Sequence, residues 1–208
     1  SPGLASCRRS PVSSNVRRLK APSMTARAFE IHPPYRAFYA LSISFCTDSA
    51  ARSIEAVADV MEHLSAATTE NPLGDIDSHA VLNQLQNIIV QGAAVSRYFW
   101  PTNPAHKARG DDLRQQYQVS DDSPLRSRDL RNMIEHFDEK LDKYLEKGIV
   151  GYIIPHYFGP QGVSDGVPEH FFRAYFIDTG IFEILGKRYE IDPLARELWR
   201  LNEHHSAK

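Results

Sequence analysis

The stretch Ser123 to Gly148, SPLRSRDLRNMIEHFDEKLDKYLEKG, decides the reading of this chain. Ser123 before Pro124 places a helix cap ahead of proline at the first helical position, where the missing N–H costs nothing. Leu130, Met133, Ile134, Phe137, Leu141, Tyr144 and Leu145 recur at three- and four-residue spacing, an apolar stripe on one side of a helix. Gly148 supplies the stop. The spacing predicts one long amphipathic helix over Pro124 to Lys147. Its polar face carries Arg131-Asn132-Met133-Ile134-Glu135-His136.

Outward from this helix the pattern stays helical toward the N-terminus. Asp77 or Ser78 caps a second helix whose stripe is Leu82, Leu85, Ile88, Ile89, Val95 and Phe99, ended by Trp100-Pro101. A short helix fits around Asp112 to Gln118 in an otherwise polar stretch. Between Pro33 and about Ala67, Phe38, Leu41 and Phe45 form one stripe and Ile54, Val57, Met61 and Leu64 another. The two are about half a turn out of phase. Two readings stay open: two helices broken near Thr47-Asp48-Ser49, or one helix buried on two sides.

Toward the C-terminus the character changes. Tyr152 to Pro168 is rich in glycine and proline and reads as irregular. Phe171 to Ile177, Ile181 to Leu185 and Arg188 to Ile191 are β-rich segments separated by turn residues, a small meander. Asp192-Pro193 starts a closing helix with Leu194, Leu198 and Leu201 on one side. The expected fold is mainly α: a bundle of four to five helices with a small C-terminal β-hairpin or meander and a closing helix. Residues 24–150 read as the bundle and 151–208 as a small α+β extension that buttresses it.

At 208 residues the chain is long enough for a real core. Residues 1–23 hold five of the 24 basic residues, six serines, three prolines and no acid. They read as a disordered basic tail or a mis-called start, and an Arg- and Ser-rich stretch without acids also resembles an organellar transit peptide. The remainder has 19 basic residues against 26 acidic, about −7, which excludes a broad nucleic-acid footprint and confines any RNA contact to a local positive site. Cys7 and Cys46 are far apart and form no metal-binding spacing, so a cytoplasmic chain is expected. No apolar run reaches the length of a membrane span, so no membrane partner is expected.

On the helical wheel Asn132 and His136 lie opposite the apolar stripe, and Arg131 lies at its flank. Arginine clamps phosphate oxygens, and histidine moves a proton near neutral pH, so the pair suits phosphodiester cleavage. The bare spacing is common: Arg27 to His32 and Arg200 to His205 share it. Arg131 also sits four residues before Glu135, a routine helical ion pair.

The segment Arg128 to Glu139, RDLRNMIEHFDE, resembles the signature helix of the HEPN superfamily, in which Arg is followed after four to six residues by His, often with a polar residue just after the Arg. At the level of pattern the resemblance covers about residues 35–147. It implies a dimerising four- or five-helix bundle whose motif helices line a shared cleft. In catalytic members that cleft cleaves RNA without metal, and the ribose 2′-hydroxyl attacks the adjacent phosphate. Arg131 and His136 would then be catalytic, Asn132 would support them, and no cofactor or metal would be needed. The implied partners are RNA or a nucleotide, a second copy of the chain, and an antitoxin-like protein. The alternative is a non-catalytic interaction or scaffolding module using the same helix as its interface.

Two other patterns carry less. Gly162-Val163-Ser164-Asp165-Gly166 matches the G-x-S-x-G nucleophile elbow, which works only at a strand-to-helix turn; between Pro160 and Pro168 it reads as a loop. Glu135, Asp138 and Asp142 share a face beside His136, but the Glu-x-x-His pairs of a di-iron bundle are absent. His204-His205 reads as part of a C-terminal tail.

Overall fold

The computed structural model describes residues 30–67, 71–127, 129–162 and 166–206. The basic segment 1–23 lies outside them. The elements are helices α1 (Pro33–Ala66), α2 (Ser78–Phe99), α3 (Lys107–Tyr117), α4 (Asp129–Glu135), α5 (Phe137–Leu145) and α6 (Asp192–Ser206). The strands are β1 (Tyr152–Gly159), β2 (Glu169–Phe176), β3 (Ile181–Ile184) and β4 (Lys187–Glu190). The fold is mainly α, as expected, with five helices ahead of the sheet and α6 as the closing helix.

Helix α2 is the central rod. Asp77 caps it, its carboxylate accepting the Ala80 N–H at 3.0 Å. Val81, Leu82, Leu85, Ile88, Ile89, Val95 and Phe99 are all buried. Its far end is closed by α3: a Cβ on Gly110 would sit 2.6 Å from the Phe99 carbonyl oxygen, and Arg114 Nη1 donates to that oxygen at 2.9 Å. Helix α6 packs against α1 and α2 through Leu194, Leu198 and Leu201, which are buried in one core with Ile43, Leu85 and Phe182. The C-terminal elements therefore share the bundle's core.

Helix α1 runs 34 residues without a break. That settles the open choice in favour of one helix, but it is not buried on both sides. Ile54, Val57, Met61 and Leu64 pack on the core, whereas Tyr35, Phe38, Leu41 and Phe45 are exposed.

The sheet is not a hairpin or simple meander. It is four-stranded and mixed, in the order β1-β2-β3-β4, with β1 parallel to β2 and the other pairs antiparallel. Strand β1 falls in the stretch read as irregular. It is an edge strand with Pro155 inside it, tolerated there because one side of the strand needs no ladder partner. Nine residues, 160–168, separate the end of β1 from the start of the parallel β2. The G-x-S-x-G pattern lies in this connection, with 163–165 outside the described residues, and leads into a strand rather than a helix. The nucleophile-elbow geometry is thereby excluded.

The hairpin between β3 and β4 turns on Leu185 and Gly186, both at positive φ (49° and 74°), a type I′ pattern. A leucine in this left-handed region is strained. Burial of its side chain in the main core holds it there.

The long helix predicted over Pro124 to Lys147 does not exist as one element. A 3-10 turn at Pro124–Arg126 is followed by α4, a break at His136 and then α5. The reason lies in what each piece packs against. Met133 of α4 is buried in the core beside α2. Helix α5 instead lies against β2: the Arg173 guanidinium stacks on Phe137, and Tyr144 bonds His170. One straight rod cannot follow both surfaces.

Candidate functional site around the α4–α5 break

The break places the candidate residues. His136 has φ −120° and ψ 38°, outside the helical region, and occupies the cap position of α5. Its backbone still links the two helices: its N–H donates to the Asn132 carbonyl at 3.2 Å, and its carbonyl accepts the Lys140 N–H at 3.0 Å. Both Asn132 and His136 are solvent-exposed. The Arg131 backbone belongs to α4, and its side chain lies outside the described residues.

Each flank of the break is anchored. On the α4 side Glu135 pairs with Arg97 of α2, which offsets one of the carboxylates beside the motif. The i,i+4 pairing of Glu135 with Arg131 therefore has a competitor from another helix. On the α5 side the Arg173 guanidinium carbon lies 4.2 Å from the Phe137 ring centre, and Arg173 Nε donates to Gln86 Oε1 of α2 at 2.8 Å. At the other end of α5, His170 Nε2 lies 3.1 Å from the Val150 carbonyl, so Nε2 carries the proton. Nδ1 then accepts the Tyr144 hydroxyl at 2.7 Å. Burial, then the nearby Glu183 charge, pushes the Tyr144 phenol above its ordinary value.

This geometry allows an exposed imidazole to act on a ligand crossing the break, with Asn132 one helical turn earlier on the same surface. Among the described residues no group of three or more His, Cys, Asp or Glu side chains could hold a metal ion, so Glu135, Asp138, Asp142 and His136 do not converge on one. His204 and His205 are not a loose tail: both rings pack on Tyr117, with centroids 5.1 and 5.2 Å away.

A cavity of about 370 Å³ lies between α2, the 3-10 turn and the start of α6, lined by Ile89, Ser96, Leu125, Tyr189 and Leu194. Neither Asn132 nor His136 lines it. Sequence reasoning missed Arg97, Gln86 and Arg173, because none shares a short motif with Arg131 or His136. The available signal was modest: Arg173 is a cation inside a β-rich, otherwise apolar segment. No helix among the described residues is long and apolar enough to cross a membrane. No family model, no curated protein and no solved structure matches this chain.

Proposed function

We propose that the α4–α5 break is the working surface of a HEPN-like, metal-independent endoribonuclease acting as a homodimer. Arg131 and His136 are the catalytic pair and Asn132 their support. The observation that carries this reading is the position of His136: it sits exposed at a helix break between two anchored flanks. A proton-transfer group must reach its substrate while its backbone stays fixed. Pairing of Glu135 with Arg97 supports the reading further, because it lowers the negative field an RNA phosphate would meet.

The dimer half of the reading is supported by the face of α1 that carries Tyr35, Phe38, Leu41 and Phe45. These four side chains are 60–73% exposed. Together they present roughly 400–600 Å² of mostly apolar surface, against about 800 Å² per partner in a standard interface. A second copy of the chain, packed face to face about a two-fold axis, covers this stripe with itself.

A rival reading has its own observation. Asp138, Glu139 and Asp142 remain exposed on α5, a negative surface better suited to a basic protein partner than to RNA. In that case the segment serves as a non-catalytic interaction module, of the kind an antitoxin-like partner would cover.

Cleavage of single-stranded RNA in the presence of EDTA separates the two. The nuclease reading expects cleavage by the intact chain, loss of at least a hundredfold in Arg131→Ala and in His136→Ala, and a smaller loss in Asn132→Ala. Cleavage that never appears, or that survives both substitutions, removes the nuclease.

A further inference from the structure

Next to the motif lies a second cluster that comes together only in the folded chain. His79, in the first turn of α2, and His156, on β1, have ring centroids 5.0 Å apart at 75°. His156 is in register with Arg173 on β2, so both side chains leave the sheet on the same side. Asn83 Nδ2 lies 3.3 Å from His79 Nδ1; read as an amide donor, it leaves the ring proton on Nε2. His79 and His156 are exposed, and Arg173 is half-buried.

The charge of this cluster is unbalanced. Arg36, Arg114 and Arg200, also partly buried, each have a carboxylate partner in Asp112, Asp111 and Glu197. Among the described residues Arg173 has none; it has only the Gln86 amide oxygen and the Phe137 ring. Burial pulls its guanidinium below the ordinary arginine value. Burial, then the charges of His79 and Arg173, pulls the His156 imidazole down as well, and no carboxylate acts against them. A partly desolvated cation with no acid beside it costs stability, and an anion relieves that cost.

We propose that Arg173, His156 and His79 form a binding site for a phosphate group, supplied by the backbone of a single RNA strand that runs past His136. The guanidinium fork and the imidazole N–H donors converge from β2, β1 and α2, three elements that share no local sequence. Arg173 stacks on Phe137, the residue directly after His136, so the site adjoins the α4–α5 break. The proposal rests on the RNA reading above only for the source of the phosphate.

The test titrates the full chain with inorganic phosphate and, separately, with hexauridylate. The histidine ring signals are followed by NMR, and hexauridylate affinity is measured by fluorescence anisotropy. Both probes are expected to move the His79 and His156 signals. Hexauridylate affinity should fall about tenfold in the double variant His79→Gln/His156→Gln, whose exposed positions leave the fold intact. It should fall severalfold in Arg173→Lys, which keeps the charge but loses the fork, and stay unchanged in Arg196→Gln on the exposed side of α6. Ring signals that stay still with both probes, or affinity within twofold of the intact chain in the double variant, overturn the site. Response to phosphate with no response to hexauridylate overturns RNA as its source. Retained hexauridylate binding in His136→Ala together with lost cleavage keeps this site and the motif distinguishable.

Discussion

The Arg173 guanidinium carbon sits 4.2 Å from the centre of the Phe137 ring, so the first residue of α5 is tied to strand β2. A half-buried cation over an aromatic face contributes about 0.5–2 kcal/mol. Phe137→Leu keeps an apolar side chain and removes the ring. It is expected to lower the unfolding free energy by about 1 kcal/mol, read as a lower urea midpoint with an unchanged slope. A midpoint equal to that of the intact chain would show that the stack holds nothing in place.

Gly110 is where α3 meets the end of α2. An added Cβ would lie 2.6 Å from the Phe99 carbonyl oxygen and 2.7 Å from Pro101 Cδ, neither of which can swing away. Gly110→Ala gains helix propensity yet is expected to destabilise by about 1–3 kcal/mol, because the backbone must part to admit the methyl group. At Gly92 the obstacle is only the Leu194 side chain at 2.9 Å, which can rotate, so Gly92→Ala should cost less. Thermal melts of the two variants side by side check the order.

Burial pushes the Tyr117 phenol up to about 12 from its ordinary 10. The folded chain therefore holds this proton more tightly than the unfolded one. The contribution is fully present below pH of about 10 and is lost as pH rises toward about 12. Tyr117 should ionise last among the tyrosines, with unfolding. Tyr117→Phe should flatten the alkaline loss of stability, and an unchanged alkaline profile would count against the buried phenol as its cause.

The exposed stripe on α1 predicts a concentration-dependent dimer. Phe38→Glu and Phe45→Glu place a charge on a face that tolerates it in the monomer, so both variants should keep the helical circular dichroism of the intact chain. Light scattering after size exclusion should show the intact chain at twice its 23.5 kDa mass and both variants at the single mass. Variants that remain dimeric move the interface elsewhere while leaving the homodimer itself standing. An intact chain that is already monomeric removes both.

Local rules reached a good part of this fold. The cap at Asp77 and the stop at Trp100-Pro101 bound α2 as expected, because capping and proline geometry act within a few residues. The alternating segments became β2, β3 and β4, and the Leu194, Leu198 and Leu201 stripe became the buried side of α6. Strand β1 was not legible. An edge strand paired in parallel on one side shows neither clean alternation nor a continuous apolar run, and Pro155 and Gly159 lowered its β signal.

What the sequence determined by itself, then, is which residues are apolar on which side of each segment. It does not say which surface each side will meet. The same unbroken spacing runs from Leu130 to Leu145, yet α4 turns to α2 and α5 to β2, so the chain breaks at His136. Phe38, Leu41 and Phe45 have a core-like pattern and remain uncovered, because nothing in the described chain lies over them. His79, His156 and Arg173 meet although nearly eighty residues separate the first two, since α2 lies against the face of the sheet that carries the others. Tertiary packing alone brings such residues together: no spacing rule spans that distance, and the energy that holds them belongs to the core beneath them rather than to the cluster itself.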